Sequence, residues 1–137
     1  MNFASYLRYI AKFNSQDWDG LHREFFAEDV RAEFPIVTLT GAAESLAWYR
    51  KAHEGLHEIL VPARIDVDAD GRTIVADLTV RFIALADTDF IPGRALARPG
   101  EVTDVPMRAT YRLNEDDRIA RLDVVFTGPP TAGPPIR

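Results

Sequence analysis

The first forty residues place their apolar side chains first at helical and then at strand spacing. Apolar positions three and four apart predict a helix over residues 3–14 and a second helix that Asp17 caps and that runs to about Ala27. The segment VRAEFPIV, residues 30–37, alternates between apolar and polar positions and indicates a half-buried strand. The apolar positions of these elements are Phe3, Tyr6, Leu7, Ile10 and Phe13; Trp18, Leu21, Phe25 and Phe26; and Val30, Ala32, Phe34 and Ile36.

The rest of the chain predicts one more helix and then four strands. The run AAESLAWYRKAHEGL, residues 42–56, is rich in helix-forming residues and carries one broad apolar face. Tight turns are predicted at Asp70-Gly71 and between Asn114 and Asp117. The predicted strands cover residues 58–68, 73–86, 102–113 and 118–127.

Two segments rich in proline and glycine lie outside this pattern. Residues 87–104, DTDFIPGRALARPGEVTD, form a connection of the length that binding loops and lids have. Residues 128–137, GPPTAGPPIR, cannot continue a strand, so we expect an extended, polyproline-like tail after a single domain of residues 1–127. We expect a neighbouring subunit to hold this tail, with a lattice contact as the alternative.

Composition and charge restrict the possible partners. A chain of 137 residues that is 47% hydrophobic fits one domain with a core. The net charge of −5 is spread along the chain without a basic run, which argues against nucleic acid and anionic membranes as partners. The chain has no cysteine, no run of ~20 apolar residues and no signal-peptide pattern. We therefore expect a cytoplasmic protein without a thiolate metal site.

The segment HEGLH, residues 53–57, has the spacing of a zinc-binding helix. In zincin metalloproteases two histidines four residues apart bind Zn²⁺, and the glutamate between them acts as general base. Here Gly55 weakens the last turn, a strand pattern follows, and the only other histidine, His22, lies upstream. We therefore expect no metal and no cofactor. His53 falls on the apolar face as a candidate proton carrier, with a hydrogen-bonded core histidine as the alternative, and His57 is expected at the helix end.

The order of elements, together with three segments, resembles the nuclear-transport-factor-2-like superfamily, in particular its SnoaL-like branch. The segments are AKFNSQDWDGLHREFFAEDVRAEFP, TGAAESLAWYRKAHEGL and DDRIARLDVVF, and the resemblance covers residues 3–127. It implies an α+β fold in which a cone-shaped, strongly curved antiparallel sheet wraps around three N-terminal helices, with an apolar pocket at its open end. Members include ketosteroid isomerases, polyketide cyclases, limonene-epoxide hydrolases and dehydratases, and homodimers through the sheet are common. Fold alone does not choose among these activities.

The catalytic residues of two of these enzyme types are mostly missing. The isomerase pattern has a carboxylate before a proline on the first strand and an acidic donor on the penultimate strand, where this chain has Phe34 and Ala109. Tyr9 matches the tyrosine of the pattern on the first helix, with Tyr6 as the alternative. The aspartate of the epoxide-hydrolase pattern aligns with Val124. We therefore expect no ketosteroid isomerisation, and no inward carboxylate is evident.

Strand alternation predicts which side chains point inward. The inward sets of three strands are almost wholly apolar, which is ordinary for a core and also typical of a ligand pocket. The predicted ligand-binding residues are Phe34, Trp48, Tyr49, Phe82 and Met107, and the predicted catalytic residues are His53 and Tyr9. The inward sets are Ala76, Leu78, Val80 and Phe82; Val105, Met107, Ala109 and Tyr111; and Leu122, Val124 and Phe126.

The outward positions of the same strands carry charges of both signs. Asp77 and Arg81 on one strand lie beside Arg108 on the next, which suits cross-strand ion pairs. This face is either exposed to solvent or a polar interface through which a homodimer forms.

Two functions fit the sequence. The first is a SnoaL-like protein that binds an apolar, cyclic small-molecule ligand and acts as a metal-free acid–base isomerase, cyclase or dehydratase. In it His53 carries the proton and Tyr9 donates a hydrogen bond to a carbonyl oxygen. The second is a non-catalytic ligand-binding or interaction protein of the same fold. Polar atoms of His53 and Tyr9 that converge on one cavity would favour the enzyme.

Overall fold

The computed structural model describes residues 1–136 and has the predicted α+β fold. The predicted order of elements is confirmed, and the structure adds two short strands. The elements are α1 (Phe3–Asn14), α2 (Trp18–Phe25), β1 (Phe26–Glu33), β2 (Thr38–Thr40), α3 (Ala42–Ala52), β3 (Leu56–Val67), β4 (Thr73–Ala84), β5 (Val102–Leu113), β6 (Ile119–Phe126) and β7 (Thr131–Gly133).

The strands form one curved, open sheet in the order β2-β1-β6-β5-β4-β3, with β7 beside β5. The sheet is mixed rather than wholly antiparallel, because β1 runs parallel to β6 and pairs Ala32 with Leu122. The first strand also begins earlier than predicted, at Phe26 instead of residue 30, since Phe26 already pairs with Ile119. Alternation in a sequence indicates a strand but not the direction of its neighbour, so the parallel pair could not be predicted.

The helices end where local capping and glycine geometry end them. Asp17 caps α2 as predicted, and its side chain accepts a hydrogen bond of 2.9 Å from the Gly20 backbone N–H. The helix α3 ends at Ala52 rather than at residue 56, because Gly55 adopts a positive φ of +77° and turns the chain into β3. The prediction that His57 ends a helix is therefore wrong, since His57 lies on β3.

The core lies between the three helices and the concave face of the sheet. The fully buried side chains there are Tyr6, Tyr9, Leu21, Val30, Ile74, Val80, Val105 and Ile119, among others. The predicted inward residues of β4 and β5 are all buried, whereas Phe126 on β6 is 43% exposed. The described residues include no helix that is long and apolar enough to cross a membrane.

Part of the C-terminal segment forms a strand, β7, instead of continuing throughout as the extended, polyproline-like tail that the sequence predicts. Thr131–Gly133 pairs antiparallel with residues 102–104 of β5. This short run lies between two proline pairs and keeps its own backbone N–H groups, so it can join a ladder where proline cannot. The tail is thus held at least in part by contacts with its own chain, and a contact with a neighbouring subunit stays a prediction.

Candidate functional site

A cavity of about 110 Å³ lies between the helices, the concave face of the sheet and the loop that joins β4 to β5. Its walls are mainly apolar, which is the usual character of a small-molecule pocket. The structure brings all seven predicted site residues to this one cavity, and their roles there remain predictions. They are Tyr9, Phe34, Trp48, Tyr49, His53, Phe82 and Met107.

The mouth of the cavity is apolar and partly open to solvent. The rings of Phe34 and Trp48 stack there, with centroids 5.6 Å apart and planes 13° from parallel. Ile36, Phe90 and Phe126 also line the cavity, although 69%, 39% and 43% of their respective surfaces are exposed. Because these apolar side chains remain exposed around an opening, a ligand that enters it would cover them.

Inside the cavity, His53 is hydrogen-bonded at both ring nitrogens. Nδ1 lies 2.6 Å from the backbone oxygen of Tyr49, and Nε2 lies 2.8 Å from Oε1 of Glu58. A carbonyl oxygen can only accept, so Nδ1 carries a hydrogen. The contact at Nε2 is then a hydrogen bond when a proton lies between Nε2 and Oε1.

Aromatic rings hold this pair in position. The ring of Trp18 stacks on that of His53 with centroids 4.1 Å apart, and Phe13 meets it edge-on at 6.3 Å. The side chains of His53 and Glu58 are only 5% and 19% exposed. A hydrogen-bonded pair with so little contact with bulk water interacts more strongly than it would on the surface.

Glu58 is the functional candidate that the sequence interpretation missed. It lies on β3 between buried Leu56 and Leu60 and lines the same cavity, so its side chain points inward. The expectation that the pocket has no inward carboxylate is therefore wrong. The missed signal is the two-residue alternation of these three residues, which was obscured because the helix was predicted to continue to residue 56.

Hydrogen bonds from the end of α1 fix this part of β3, which is an edge strand. The Gln16 side chain donates to the Glu58 backbone oxygen at 2.8 Å. The Asn14 side chain donates to the Leu60 oxygen at 3.1 Å and accepts from the Leu60 N–H at 2.8 Å. These bonds satisfy backbone groups that have no neighbouring strand, and they set the direction in which Glu58 points.

A cluster of three buried tyrosines lies at another wall of the cavity. The Tyr6 hydroxyl donates to that of Tyr111 at 2.9 Å, and the ring of Tyr9 stacks on Tyr6 and meets Tyr111 edge-on. Tyr9 and Tyr111 line the cavity, and Tyr6 is not among its lining residues. Burial raises the pKa of Tyr9 and of Tyr111, so both are protonated donors at neutral pH. Tyr9, rather than Tyr6, is therefore the helix tyrosine that faces the pocket.

Tyr49 contributes a further hydroxyl near Glu58. Burial, followed by the charge of Glu58, raises the pKa of Tyr49 above its ordinary value, which keeps the phenol protonated. Within residues 1–136 this hydroxyl makes no hydrogen bond to another residue, and Tyr49 lines the cavity. It is therefore available to a ligand.

The other two histidines lie away from the cavity. His57 is an outward residue of β3, and its Nε2 lies 3.3 Å from the Asn14 backbone oxygen, so it does not share a site with His53. His22 links two helices, with Nδ1 2.8 Å from the Trp18 oxygen and Nε2 2.8 Å from Oγ of Ser45. Among the described residues, no three metal-binding side chains form a cluster.

The environment of His22 predicts a pH dependence of stability. Burial lowers its pKa below the ordinary value of 6.5, while the charges of Asp19 and Arg50 act in opposite directions. The unfolded chain therefore binds a proton more readily than the folded protein does. We expect the free energy of unfolding to fall as the pH is lowered below about 6.5, until the folded-state pKa is passed.

Urea unfolding between pH 5 and pH 8 measures this effect, and His22→Gln is the comparison because it cannot titrate. The free energy of unfolding should depend less strongly on pH in that variant. Asp77 and Asp104, whose pKa values are lowered by hydrogen bonds from arginines, contribute only at more acidic pH. A wild-type stability that stays constant or rises from pH 7 to pH 5 would contradict the assignment.

The convex face of the sheet carries the predicted ion pairs. The guanidinium of Arg108 donates to Asp77 at 2.7 Å, and that of Arg81 donates to Asp104 at 2.9 Å. Both pairs join residues that are directly opposite on β4 and β5. Asp123 lies on this face and accepts from Arg121, so it cannot replace the epoxide-hydrolase aspartate in the cavity.

Comparison with known proteins places the chain in a family. The model of the SnoaL-like domain matches residues 6–122, which is most of the chain. The chain belongs to the SnoaL-like domain family. This agrees with the resemblance found in the sequence. The search of curated proteins gave no match.

Several solved structures have the same fold. A putative polyketide cyclase from Pseudomonas putida is 25% identical, with 87% of this chain and 86% of that one covered and a TM-score of 0.72. A putative polyketide cyclase from Silicibacter is 21% identical, with 90% of this chain and 87% of that one covered and a TM-score of 0.74. The epoxide hydrolase/cyclase-like enzyme SalBIII, described in pyran ring formation in polyether salinomycin, is 17% identical, with 88% and 86% covered and a TM-score of 0.66.

Proposed function

We propose that this SnoaL-like protein is an acid–base enzyme that moves a proton on a carbon atom next to the carbonyl group of an apolar, cyclic ligand. Proton removal of this kind begins many isomerisations, cyclisations and dehydrations. The observation that carries the proposal is that Glu58, held by His53, and Tyr9 face one apolar cavity. A carboxylate and a phenol in one cavity are the base and the oxyanion donor that such a step needs.

The lining of the cavity indicates an uncharged ligand. Its lining residues in the described chain include no lysine or arginine, so a ligand carboxylate or phosphate would have no ion-pair partner there. The imidazole of His53, which also lines the cavity, already has Glu58 as its partner. The putative polyketide cyclases and the pyran-forming enzyme among the similar structures are consistent with a cyclic organic ligand.

In the proposed step, Glu58 takes the proton from the α-carbon of the ligand. The C–H bond breaks, its electron pair forms the enolate, and the Tyr9 O–H donates a hydrogen bond to the enolate oxygen. Glu58 then returns a proton to a carbon atom of the enolate or its conjugated system. Return to a different carbon is an isomerisation, so the position of return determines the product.

His53 acts on the ligand through Glu58. Both of its ring nitrogens already have partners, the Tyr49 carbonyl and Glu58, whereas Oε2 of Glu58 has no hydrogen bond within residues 1–136. The oxygen that is open to the ligand therefore belongs to Glu58. We assign to His53 the role of orienting the carboxylate and holding a proton between Nε2 and Oε1, which refines its predicted role as proton carrier.

Deuterium incorporation into 2-decalone in D₂O tests the proposal without knowledge of the natural substrate. This bicyclic, uncharged ketone has exchangeable α-hydrogens, and mass spectrometry follows their replacement. We expect exchange well above the buffer rate, by about 10²-fold or more. A rate equal to that of buffer, at concentrations where calorimetry shows 2-decalone bound, would contradict enzymatic proton transfer.

The second candidate function, ligand binding without chemistry, is favoured by one observation. Phe34, Ala109 and Val124 occupy the positions of the carboxylates in the two family patterns, and the structure places all three on the cavity wall. The two functions are distinguished by the same experiment, because a binding protein would hold 2-decalone and leave its hydrogens unexchanged.

We infer further that the protein forms a homodimer through the convex face of the sheet. The ion pairs of β4 and β5 lie there beside Val61 and Val125, which are 46% and 54% exposed. Light scattering at micromolar concentration should report a dimer, and Val125→Arg should shift it to monomer. Leu7→Arg, at a site on α1 that is 40% exposed, is the matched control. A wild-type monomer would contradict this inference.

A further inference from the structure

The C-terminal tail, residues 128–136, lies directly against the pocket loop, residues 85–101. β7 pairs with the first residues of β5, where β6 no longer reaches. Beyond it, the Ile136 backbone N–H donates to the Gly100 oxygen at 2.8 Å. The tail is thus joined to both the end of the pocket loop and the strand that follows it.

Two glycines of the pocket loop lie so close to the tail that no side chain fits. A Cβ atom on Gly93 would lie 2.4 Å from Cγ of Pro130, and one on Gly100 would lie 2.7 Å from the backbone oxygen of Ile136. Both glycines also have positive φ values, +76° and +88°. At these two points the loop and the tail are in such close contact that only glycine fits.

The same loop forms part of the wall of the pocket. Phe90 and Pro92 line the cavity, whereas Ile91 between them is 2% exposed and anchors the loop in the core. Hydrogen bonds of 3.0 and 2.8 Å join Thr88 and Ala97 across the loop. Pro130 contacts Gly93, which directly follows Pro92, so the tail supports the segment that carries both lining side chains.

We propose that the tail is a strap that holds the pocket loop over the cavity, and that Pro130 is a positioning residue for Phe90 and Pro92. By fixing the loop in the position that it has in the structure, the strap lowers the ordering cost of ligand binding and slows ligand release. The strap depends on the proposed function in one respect only, namely that the pocket binds an apolar ligand.

Gly93→Ala tests the strap, because its Cβ would push Pro130 away. We expect it to weaken 2-decalone binding by about fivefold or more and to speed release, as measured by calorimetry and NMR. Gly41→Ala is the matched control, since Gly41 has a similar φ of +89° but no atom closer than 3.8 Å to the added Cβ. Pro130→Gly, which removes the supporting ring and leaves Gly93 unchanged, should weaken 2-decalone binding in the same way.

Two further readouts separate the strap from general destabilisation. Gly93→Ala should add little to the affinity loss of Phe90→Ala, because both act through the same wall. Amide hydrogen exchange of residues 88–97 should rise in Gly93→Ala and not in Gly41→Ala, whether or not the ligand binds. Wild-type affinity and exchange in Gly93→Ala would overturn the strap. Failure of the wild type to bind 2-decalone would count against the proposed function alone. The amide hydrogen exchange of residues 88–97 would still decide whether the tail acts as a strap.

Discussion

Glu58→Gln should abolish most of the deuterium exchange into 2-decalone. Glutamine keeps the size of the side chain and can still hydrogen-bond Nε2 of His53, but it has no carboxylate to accept a proton from carbon. We expect the exchange rate to fall by about 10²- to 10⁴-fold, the usual contribution of a positioned general base. Binding of 2-decalone should change little, because most of the cavity wall is apolar.

The control is Glu54→Gln, which removes an exposed carboxylate four positions away without touching the cavity. It should retain the wild-type exchange rate. If Glu58→Gln exchanged as fast as the wild type, another group would be the base, and the pairing of Glu58 with His53 would be structural only.

Tyr9→Phe should slow the same exchange reaction by removing the donor to the enolate oxygen. The loss of one such donor typically costs about 10²- to 10³-fold in rate. The Tyr9 hydroxyl is buried and protonated at the cavity wall, so phenylalanine removes the hydrogen bond and little of the packing. The same exchange assay, at saturating 2-decalone, measures this change.

Tyr6→Phe is the matched control, because Tyr6 belongs to the same hydroxyl cluster but is not a lining residue. We expect its exchange rate to stay within about threefold of wild type, while its stability falls by ~1 kcal/mol from the lost hydrogen bond to Tyr111. Equal losses in Tyr6→Phe and Tyr9→Phe would contradict the assignment of Tyr9 as the direct donor.

Most of the fold could be predicted from the sequence because its signals are local. The two-residue period of β4 and β5 separates buried Leu78 and Val80 from outward Asp77 and Arg81, and the structure keeps that separation. The placement of β1 beside β6 could not be predicted, since it depends on contacts between segments far apart in the chain. β7 was missed because its three residues lie among four prolines.

The site was less predictable, and Glu58 shows why. Which side of a strand faces the core depends on the residue at which the strand begins. The turn at Gly55 starts β3 at Leu56, and this places the side chain of Glu58 inward. If the helix is taken to continue to residue 56, the sequence does not show which residues of the following strand point inward. The positions of His53 and Tyr9 at the cavity were predictable because each lies within a helix or directly at its end, where the apolar face is clear.

The most direct test of the account is a crystal structure of the protein with 2-decalone bound. We predict that the ketone lies in the cavity, with its oxygen within ~3.2 Å of the Tyr9 hydroxyl oxygen. We also predict an α-carbon within about 3.5 Å of Glu58 Oε2, and His53 still bonded to Oε1. A ketone bound outside the cavity, or one whose oxygen points away from Tyr9 while its α-carbons lie far from Glu58, would contradict the proposed acid–base function.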